Sequence, residues 1–238
     1  MMIPKIIHYC WFGGNPIPAS IKKYMDSWKK YCPDYEIKRW DESNFDVFSH
    51  PFMKAAYEAK AWAFVSDYAR LKIVCEHGGI YLDTDVELLK NLDFLLNYQC
   101  YIGVQQAGHL CTTGLGFGAT KSSPVVQAML AQYDNLVFDT RKKDELSCPR
   151  LNNKVLVDMG YQHSDNIIVI DNVAILPSKM IDPVSPGPTK DLLYDGSISI
   201  HHYSASWESK KKRIKRKLFT FIGQRRINRI KKALKFWR

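Results

Sequence analysis

Residues 78–87 read Gly78-Gly79-Ile80-Tyr81-Leu82-Asp83-Thr84-Asp85-Val86-Glu87, and the fold is organised around this stretch. The two glycines end the preceding helical pattern, and the apolar run after them predicts a short buried strand. Asp83 and Asp85 follow, and on a regular strand both would point to the same face. Carboxylates placed together suit Mg²⁺ or Mn²⁺, which leave coordination positions free for phosphates. The stretch therefore predicts a metal site that takes a phosphate ester; the alternative is a polar turn in solvent.

The composition is that of a folded globular protein. A chain of 238 residues with 46% hydrophobic residues can bury the core of one domain and carry an appendage. The six cysteines form neither a C-x-x-C pair nor a zinc-finger cluster, which predicts reduced thiols in a cytoplasmic protein. The sequence shows neither the apolar core of a signal peptide nor a stretch of transmembrane length, so we expect a soluble or surface-bound protein.

The net charge of +10 is concentrated at the C-terminus. Fourteen of the 34 Lys and Arg residues lie between Lys210 and Arg238, which contains no acidic residue. Apolar residues recur there at helical spacing, and basic amphipathic helices of this kind bind anionic membranes. We therefore predict a main domain over residues 1–207 and a basic amphipathic helical tail over 208–238. Two alternatives remain open for the tail: packing on the parent domain, and binding of nucleic acid.

Predicted strands and helices alternate along the first half of the chain. Strand, helix and strand patterns in this order favour a parallel α/β sheet. We expect strands at residues 3–12, 35–40, 80–82, 101–104 and 115–119, helices at 18–31, 51–77 and 123–133, and a Pro-rich loop at 182–188.

Three further side chains are candidates for ligand contacts. Asp67 and Arg70 lie three residues apart on the helix that precedes the Asp-x-Asp stretch, so they share a neighbouring face. They form either a surface ion pair or a site in which Arg70 contacts a phosphate or sugar oxygen and Asp67 a hydroxyl. Trp11 ends the first strand before Gly13-Gly14, and it is either a core residue or a platform for a flat base.

Several motifs together resemble the glycosyltransferases with a DXD sugar-binding motif, of the family 32 type. That family includes bacterial capsule and surface-polysaccharide transferases and, more distantly, the large clostridial glucosylating toxins. The resemblance implies a GT-A-like fold, a Rossmann-type mixed sheet flanked by helices, here with a basic helical tail. The motifs occur in the family's order: IIHYCWFGG (6–14), Trp40-Asp41, AFVSDYAR (63–70), GGIYLDTD (78–85) and HHYSASW (201–207).

The resemblance implies a ligand set for a divalent metal, Mn²⁺ or Mg²⁺. Asp85 matches the direct metal ligand, and Asp83 matches the first carboxylate, which contacts sugar or ribose and water. His202, five residues before Trp207, has the spacing of a third ligand. His201 competes for this role, and because adjacent strand residues face opposite ways, one of the two must point away. We choose His202.

The resemblance also implies roles in binding the nucleotide-sugar. Trp11 matches the aromatic residue that stacks on the base, and Trp207 a tryptophan that contacts the diphosphate. Asp67 and Arg70 match the pair that holds hydroxyls of ribose or of the donor sugar. Arg70, Asp83 and Asp85 are accordingly the residues to which we assign the chemistry.

The implied activity is metal-dependent, retaining transfer of a hexose from a nucleotide diphosphate sugar. UDP is the preferred nucleotide and GDP the second. The acceptor would be a saccharide or a lipid-linked saccharide in the synthesis of capsular polysaccharide or lipopolysaccharide. We expect a peripheral protein on the inner face of the plasma membrane, attached through residues 210–238, with no nucleic-acid partner.

Other interpretations remain. Leu82 to Val86 also fit the loop of haloacid-dehalogenase-like phosphatases, with Asp83 as the nucleophile, and a non-enzymatic adaptor with a basic tail is a third option. The central segments Thr112-Thr113-Gly114 and Ser147-Cys148-Pro149 depart from the family pattern. Asn152 and Asn153 either donate hydrogen bonds to a sugar or have a structural role beside a helix.

Overall fold

The computed structural model describes residues 2–186 and 189–204, and its core is a seven-stranded sheet with helices on both faces. The strand order is β2-β1-β3-β6-β5-β8-β7, and a separate two-stranded sheet pairs β4 with β9. The strands are β1 (Ile6–Cys10), β2 (Glu36–Trp40), β3 (Gly79–Tyr81), β4 (Val86–Leu88), β5 (Cys100–Val104), β6 (Cys111–Ala119), β7 (Ile168–Ile170), β8 (Val173–Leu176) and β9 (Ser199–His201). The α-helices are α1 (Ala19–Tyr31), α2 (Pro51–Glu58), α3 (Trp62–His77), α4 (Pro124–Ala131), α5 (Cys148–Asp158) and α6 (Ser178–Ile181).

The sheet is mixed. β1 pairs in parallel with β2 and β3, as the order of elements predicts. β6 is antiparallel to both β3 and β5, and β8 returns parallel to β5. The connection between β5 and β6 is too short for a crossover, so these two strands must pair as a hairpin. The parallel arrangement inferred from the first elements therefore holds for only part of the sheet, whereas the mixed sheet flanked by helices is confirmed.

The strand ends that carry the polar side chains lie together at one edge of the sheet. The carboxyl ends of β1 and β3 lie side by side because the two strands are parallel. The amino end of β6 lies at the same edge, since its later residues Phe117 to Ala119 pair with β3 in the antiparallel direction. Segments that follow β1 and β3 and precede β6 can therefore meet in one place.

Two apolar clusters hold the layers together. One packs α2, α3, α4 and α5 on one face of the sheet, around buried residues such as Phe52, Leu71 and Phe117. The other lies under α1 and includes Trp28. The Trp28 indole N–H also donates to the Val86 carbonyl oxygen over 2.8 Å, which joins α1 to β4 beside the Asp-x-Asp stretch.

The helix expected over residues 51–77 is two helices in the structure. α2 ends at Glu58 and α3 begins at Trp62, with Lys60 between them at a φ of 52°. The residues at this break include neither Gly nor Pro, so the local sequence gave no signal for it. We attribute the interruption to packing. All six cysteines are free thiols. Over the described residues, no helix combines the length and apolar character needed to cross a membrane.

Candidate functional site

A cavity of about 370 Å³ opens at the polar edge of the sheet. We call it the main cavity. Its lining comes from the ends of β1 and β3, the first turns of α3, and the segment after β9. The lining residues are Cys10, Trp11, Phe12, Asn15, Pro16, Pro18, Trp62, Ala63, Ser66, Arg70, Tyr81, Asp83, Thr84, Asp85, His201 and Tyr203.

The two aspartates lie in a turn between β3 and β4 rather than on a strand. The Val86 N–H donates to the Asp83 carbonyl oxygen over 2.9 Å, which closes the turn. The carboxylates converge nevertheless, because the turn is held between the two sheets. One ligand atom from each of Asp83, Asp85 and His201 lies within 4.8 Å of the others. The regular strand assumed for Asp83 and Asp85 was therefore wrong, but the two carboxylates lie close together as that strand predicted.

The last residue of β9 and the segment that follows it contact Asp85 at three points. The His201 Nε2 lies 3.1 Å from the Asp85 Oδ1, and the Ser204 N–H donates to Oδ2 over 2.6 Å. The His202 N–H donates to the Asp85 carbonyl oxygen over 2.9 Å. Burial alone would raise the pKa of Asp85, but the charge and hydrogen bond of His201 and the Ser204 N–H outweigh it and hold the pKa at about 2. Asp85 is therefore a stable anion.

His201, not His202, faces the two aspartates, which corrects the placement expected from the sequence. The His202 Nε2 lies 2.7 Å from the Glu87 Oε2, and its ring stacks on Tyr24 with centroids 3.9 Å apart. The physical reason is the register of the small sheet, in which His201 pairs with Val86 and places its side chain beside Asp85. Alternation then turns His202 to the other face. Burial would lower the pKa of His201, but the charge of Asp85 raises it above the ordinary value.

Arg70 is the central cation of the site. It is only 3% exposed, and its guanidinium contacts two carboxylates: Nη1 lies 3.1 Å from the Asp67 Oδ1, and Nη2 lies 3.0 Å from the Asp83 Oδ1. The Tyr81 hydroxyl also donates to the Asp83 Oδ1, over 3.1 Å. A Cβ on Gly114 would lie 3.3 Å from the Arg70 Nη1, so glycine leaves room for this arrangement. Asp67 and Arg70 do form an ion pair, but it is buried, so the alternative of a surface ion pair is wrong.

Asp67 lies behind Arg70 and is not among the residues that line the main cavity. Its carboxylate contacts Arg70, and the backbone of Cys148 at the start of α5 helps to lower its pKa. Burial raises the pKa of Asp67 to about 6, and the Arg70 charge opposes that rise. In the structure Asp67 positions Arg70, and its contact with a sugar hydroxyl stays a prediction.

Aromatic residues form the other end of the main cavity. Trp11 lines it, and its indole N–H donates to the Asn15 carbonyl oxygen over 2.6 Å. Gly13 has a φ of +91° and lies against Trp62, where an added Cβ would be 2.8 Å from the ring. Glycine is therefore required at this position, because of the positive φ and because a Cβ would clash with the Trp62 ring. The position of Trp11 is compatible with base stacking, which also stays a prediction.

The two asparagines of α5 have structural roles. Asn152 is fully buried, and its Oδ1 accepts from the Thr113 hydroxyl over 3.0 Å and from the Cys148 thiol over 2.9 Å. The Asn153 Oδ1 accepts from the Cys111 N–H over 3.0 Å. Both side chains therefore link α5 to β6. Of the two roles left open for these asparagines, the contacts favour the structural one over hydrogen bonds to a sugar.

Sequence reasoning missed several residues of the site. Tyr81 was treated only as an apolar strand residue, and Trp62 and Tyr203 were not singled out, yet all three line the main cavity. Ser66 also lines it, and its position four residues before Arg70 on the same helix was an available signal. Trp207 and the predicted tail at 208–238, with the domain boundary between them, lie outside the described residues.

The donor atoms suit a divalent metal. Carboxylate oxygens and an imidazole nitrogen are ligands that Mn²⁺ and Mg²⁺ sites use, with imidazole favouring the transition metal. The His201 Nε2 and the Asp85 Oδ1 lie 3.1 Å apart, close enough for both atoms to reach one ion. Asp83 offers its Oδ2, 4.0 Å from the same nitrogen. The residues present therefore fit such an ion.

Comparison with known proteins gives consistent results. Residues 18–102 match the family described as glycosyltransferase sugar-binding region containing DXD motif. The uncharacterized glycosyltransferase L373 of Acanthamoeba polyphaga mimivirus is 38% identical over 101 residues, covering 40% of this chain and 40% of that protein. Inositol phosphoceramide mannosyltransferase 3 of Schizosaccharomyces pombe is 30% identical over 141 residues, covering 58% of this chain and 39% of that protein. The chain thus spans about two fifths of the length of these relatives.

A solved structure has a similar fold. The PaToxG glycosyltransferase aligns with a TM-score of 0.51 and 21% sequence identity, covering 66% of this chain and 69% of that one. At this identity the similarity concerns the fold alone, and it agrees with a GT-A-like arrangement of the mixed sheet and its helices.

Proposed function

We propose that the chain, whose residues 18–102 match the glycosyltransferase sugar-binding region containing DXD motif, is a metal-dependent, retaining hexosyltransferase. The donor is a nucleotide diphosphate sugar. One observation carries the proposal: Asp83, Asp85 and His201 converge beside the buried Arg70, in a cavity whose other end is aromatic. An anionic diphosphate joined to a flat base matches that distribution of groups.

Asp85, His201 and Asp83 would hold the Mn²⁺ or Mg²⁺ ion. When bound, the ion supplies positive charge that neutralises the negative charge developing on the departing diphosphate. The anionic state of Asp85 keeps its carboxylate ready to bind the ion, and the proton that the His201 Nε2 shares with Asp85 would be released when that nitrogen becomes a ligand. Trp207 would add a hydrogen bond to the diphosphate, as the resemblance implies.

Arg70 orients the donor. Asp67 and Asp83 fix its guanidinium, so the cation is pre-organised and needs no rearrangement when the donor binds. Asp83, fixed in turn by Arg70 and the Tyr81 hydroxyl, presents its remaining oxygen to a hydroxyl of the sugar or ribose. Trp11 stacks on the base. Together these contacts place the anomeric carbon in a defined position.

The transfer proceeds with retention of configuration. The bond between the anomeric carbon and the phosphate oxygen breaks, and a bond from that carbon to the acceptor oxygen forms on the same face. The acceptor proton passes to the departing phosphate oxygen. Both carboxylates among the cavity-lining residues already bind Arg70 or His201, which supports a route without a carboxylate nucleophile.

We propose a UDP-sugar as the preferred donor and a GDP-sugar as the second choice. The acceptor is a saccharide or a lipid-linked saccharide in the synthesis of a bacterial surface polysaccharide. One relative is named as an inositol phosphoceramide mannosyltransferase, which supports a hexose and a lipid-linked acceptor by analogy. Attachment to the inner face of an anionic plasma membrane through residues 210–238, without nucleic acid, belongs to the same proposal.

The phosphatase alternative receives no support from the site. The Asp83 Oδ1 accepts from both Arg70 and Tyr81, and its Oδ2 lies 4.0 Å from the His201 Nε2 within the group of metal-ligand atoms, a placement that favours a metal ligand over a nucleophile. The adaptor alternative depends on the tail, which lies outside the described residues.

Nucleotide release from candidate donors tests the proposal. UDP-galactose, UDP-glucose, UDP-N-acetylhexosamines and GDP-mannose would be incubated with the protein and Mn²⁺, or with EDTA. We expect metal-dependent release from one donor, loss of that release in Asp85→Asn, and no change in Asp34→Asn, which alters an exposed aspartate paired with Lys5. Full metal-dependent release by Asp85→Asn would contradict the proposal, as would the absence of both binding and release with every donor.

A further inference from the structure

Tyr203 has an unusual conformation beside the main cavity. Its ring lines the cavity and lies 4.1 Å, centroid to centroid, from the ring of His201. Its φ is 47°, in the left-handed region that residues other than glycine seldom adopt. This conformation costs free energy, so the surrounding structure must hold it in place. It also lets the next residue, Ser204, direct its N–H back to Asp85.

A buried carboxylate holds the Tyr203 side chain. The Tyr203 hydroxyl donates to the Asp182 Oδ2 over 2.9 Å. The same oxygen accepts the Gln106 N–H over 2.8 Å. Asp182 is fully buried, and burial raises its pKa. A buried carboxylate with two donors on one oxygen is costly to form and directional once formed.

The same contacts reach the segment that precedes β9. The Gln106 side chain donates to the Lys190 carbonyl oxygen over 3.0 Å and accepts from the Lys190 N–H over 2.6 Å. Ser185 lies within 3.4 Å of the Tyr203 hydroxyl. Asp182 thus connects Gln106, which follows β5 and in turn holds Lys190, with Tyr203, which follows β9.

We propose that Tyr203 is a donor-binding residue and that Asp182 is the positioning residue that fixes it. The inference rests on the proposed function, since the ligand is the nucleotide-sugar. The Tyr203 ring packs against the bound donor beside the aspartates and keeps the His201 ring in place. Asp182 acts on the donor through Tyr203 rather than by direct contact, because it is not among the residues that line the main cavity.

Tyr203→Phe tests this inference, because the variant keeps the ring and removes the hydrogen bond to Asp182. Its matched control is Tyr35→Phe, which removes a Tyr–Asp hydrogen bond of 2.8 Å, to Asp93, away from the main cavity. We expect Tyr203→Phe to raise the donor KM about tenfold, the effect of losing one hydrogen bond to a charged partner. Tyr35→Phe should leave the donor KM unchanged while lowering thermal stability.

Two variants of Asp182 separate positioning from folding. Asp182→Asn should keep the donor KM close to that of the wild type, because an amide oxygen accepts from both Tyr203 and Gln106. Asp182→Ala should raise it, and the addition of Tyr203→Phe should then have little further effect, because both changes remove one interaction. Mn²⁺ affinity, followed by the electron paramagnetic resonance signal of the free ion, should fall in Asp182→Ala without any donor present.

Specific results would overturn the inference. If Tyr203→Phe and Asp182→Ala leave the donor KM and Mn²⁺ affinity unchanged, or change them only as Tyr35→Phe does, the Tyr203–Asp182 contact serves the fold alone. That result is distinct from failure of the proposed function, in which the wild-type protein itself neither binds nor hydrolyses any donor; the inference would then fall with it.

Discussion

Replacing His201 by alanine should weaken Mn²⁺ binding at least about 100-fold, whereas replacing the adjacent His202 should leave it nearly intact. The His201 Nε2 lies 3.1 Å from the Asp85 Oδ1 and 4.0 Å from the Asp83 Oδ2, so it is one of three groups around a single position. Loss of a residue that merely orients a ligand lowers metal affinity about 10- to 100-fold, so loss of a ligand itself should cost at least about 100-fold.

The expected effect of His202→Ala is small for a structural reason. Its side chain is 28% exposed and pairs with Glu87, which is 37% exposed. Ion pairs of this exposure contribute about 0–1 kcal/mol to stability. The variant therefore keeps the Asp85 and His201 groups and loses only a partly solvated contact with Glu87 and Tyr24.

Titration of Mn²⁺ against each purified protein, followed by the electron paramagnetic resonance signal of the free ion, measures this difference. Thermal unfolding of the same samples shows whether each variant is folded. The reasoning is refuted if His202→Ala loses Mn²⁺ affinity and His201→Ala retains it, because the register of β4 and β9 would then be misassigned. Equal losses in two folded variants would refute it as well.

Two further predictions concern stability. Arg70→Met should lower the free energy of unfolding by about 3–5 kcal/mol, because it leaves two buried carboxylates without their cation, whereas Lys72→Met on the exposed face of the same helix should change it little. Urea unfolding measures both, and equal midpoints for the two variants would contradict the assignment of Arg70. His8 is buried with its Nε2 2.9 Å from the Gly78 carbonyl oxygen, and burial lowers its pKa from 6.5 to about 4. The unfolded chain therefore binds a proton between these values that the folded chain does not, so stability is complete above pH 6.5 and falls by about 3 kcal/mol as the pH drops to 4. Urea unfolding at about pH 7 and about pH 4.5 should show a smaller loss on acidification for His8→Gln than for the wild type, and equal losses would exclude His8 as the cause.

The order of strands and helices in the first half of the chain followed from local sequence. Apolar periodicity located β1, β2, β3 and α1, and glycines marked the end of α3. These signals are local, because each depends on neighbouring residues alone. The break at Lys60 and the antiparallel direction of β6 were not foreseen, because both are consequences of packing between distant segments.

The candidate site was predictable to a similar degree. The spacing of Asp67, Arg70, Asp83 and Asp85 indicated acidic and basic groups near one strand end, and the structure brings all four together. The burial of Arg70 was not predictable, since a pair three residues apart on a helix has the same sequence pattern at the surface and in the core. Tyr203 and Asp182 meet across 21 residues, and no periodicity links them.

The sequence by itself determined that a pair of carboxylates ends a buried strand and that, of the adjacent histidines 201 and 202, only one can face it. Strand alternation requires the second point because neighbouring side chains leave opposite faces. Which histidine faces Asp85 was decided only by tertiary structure. The answer depends on the pairing of His201 with Val86, a contact between segments far apart in the chain, and a shift of one residue in that register would exchange the two side chains.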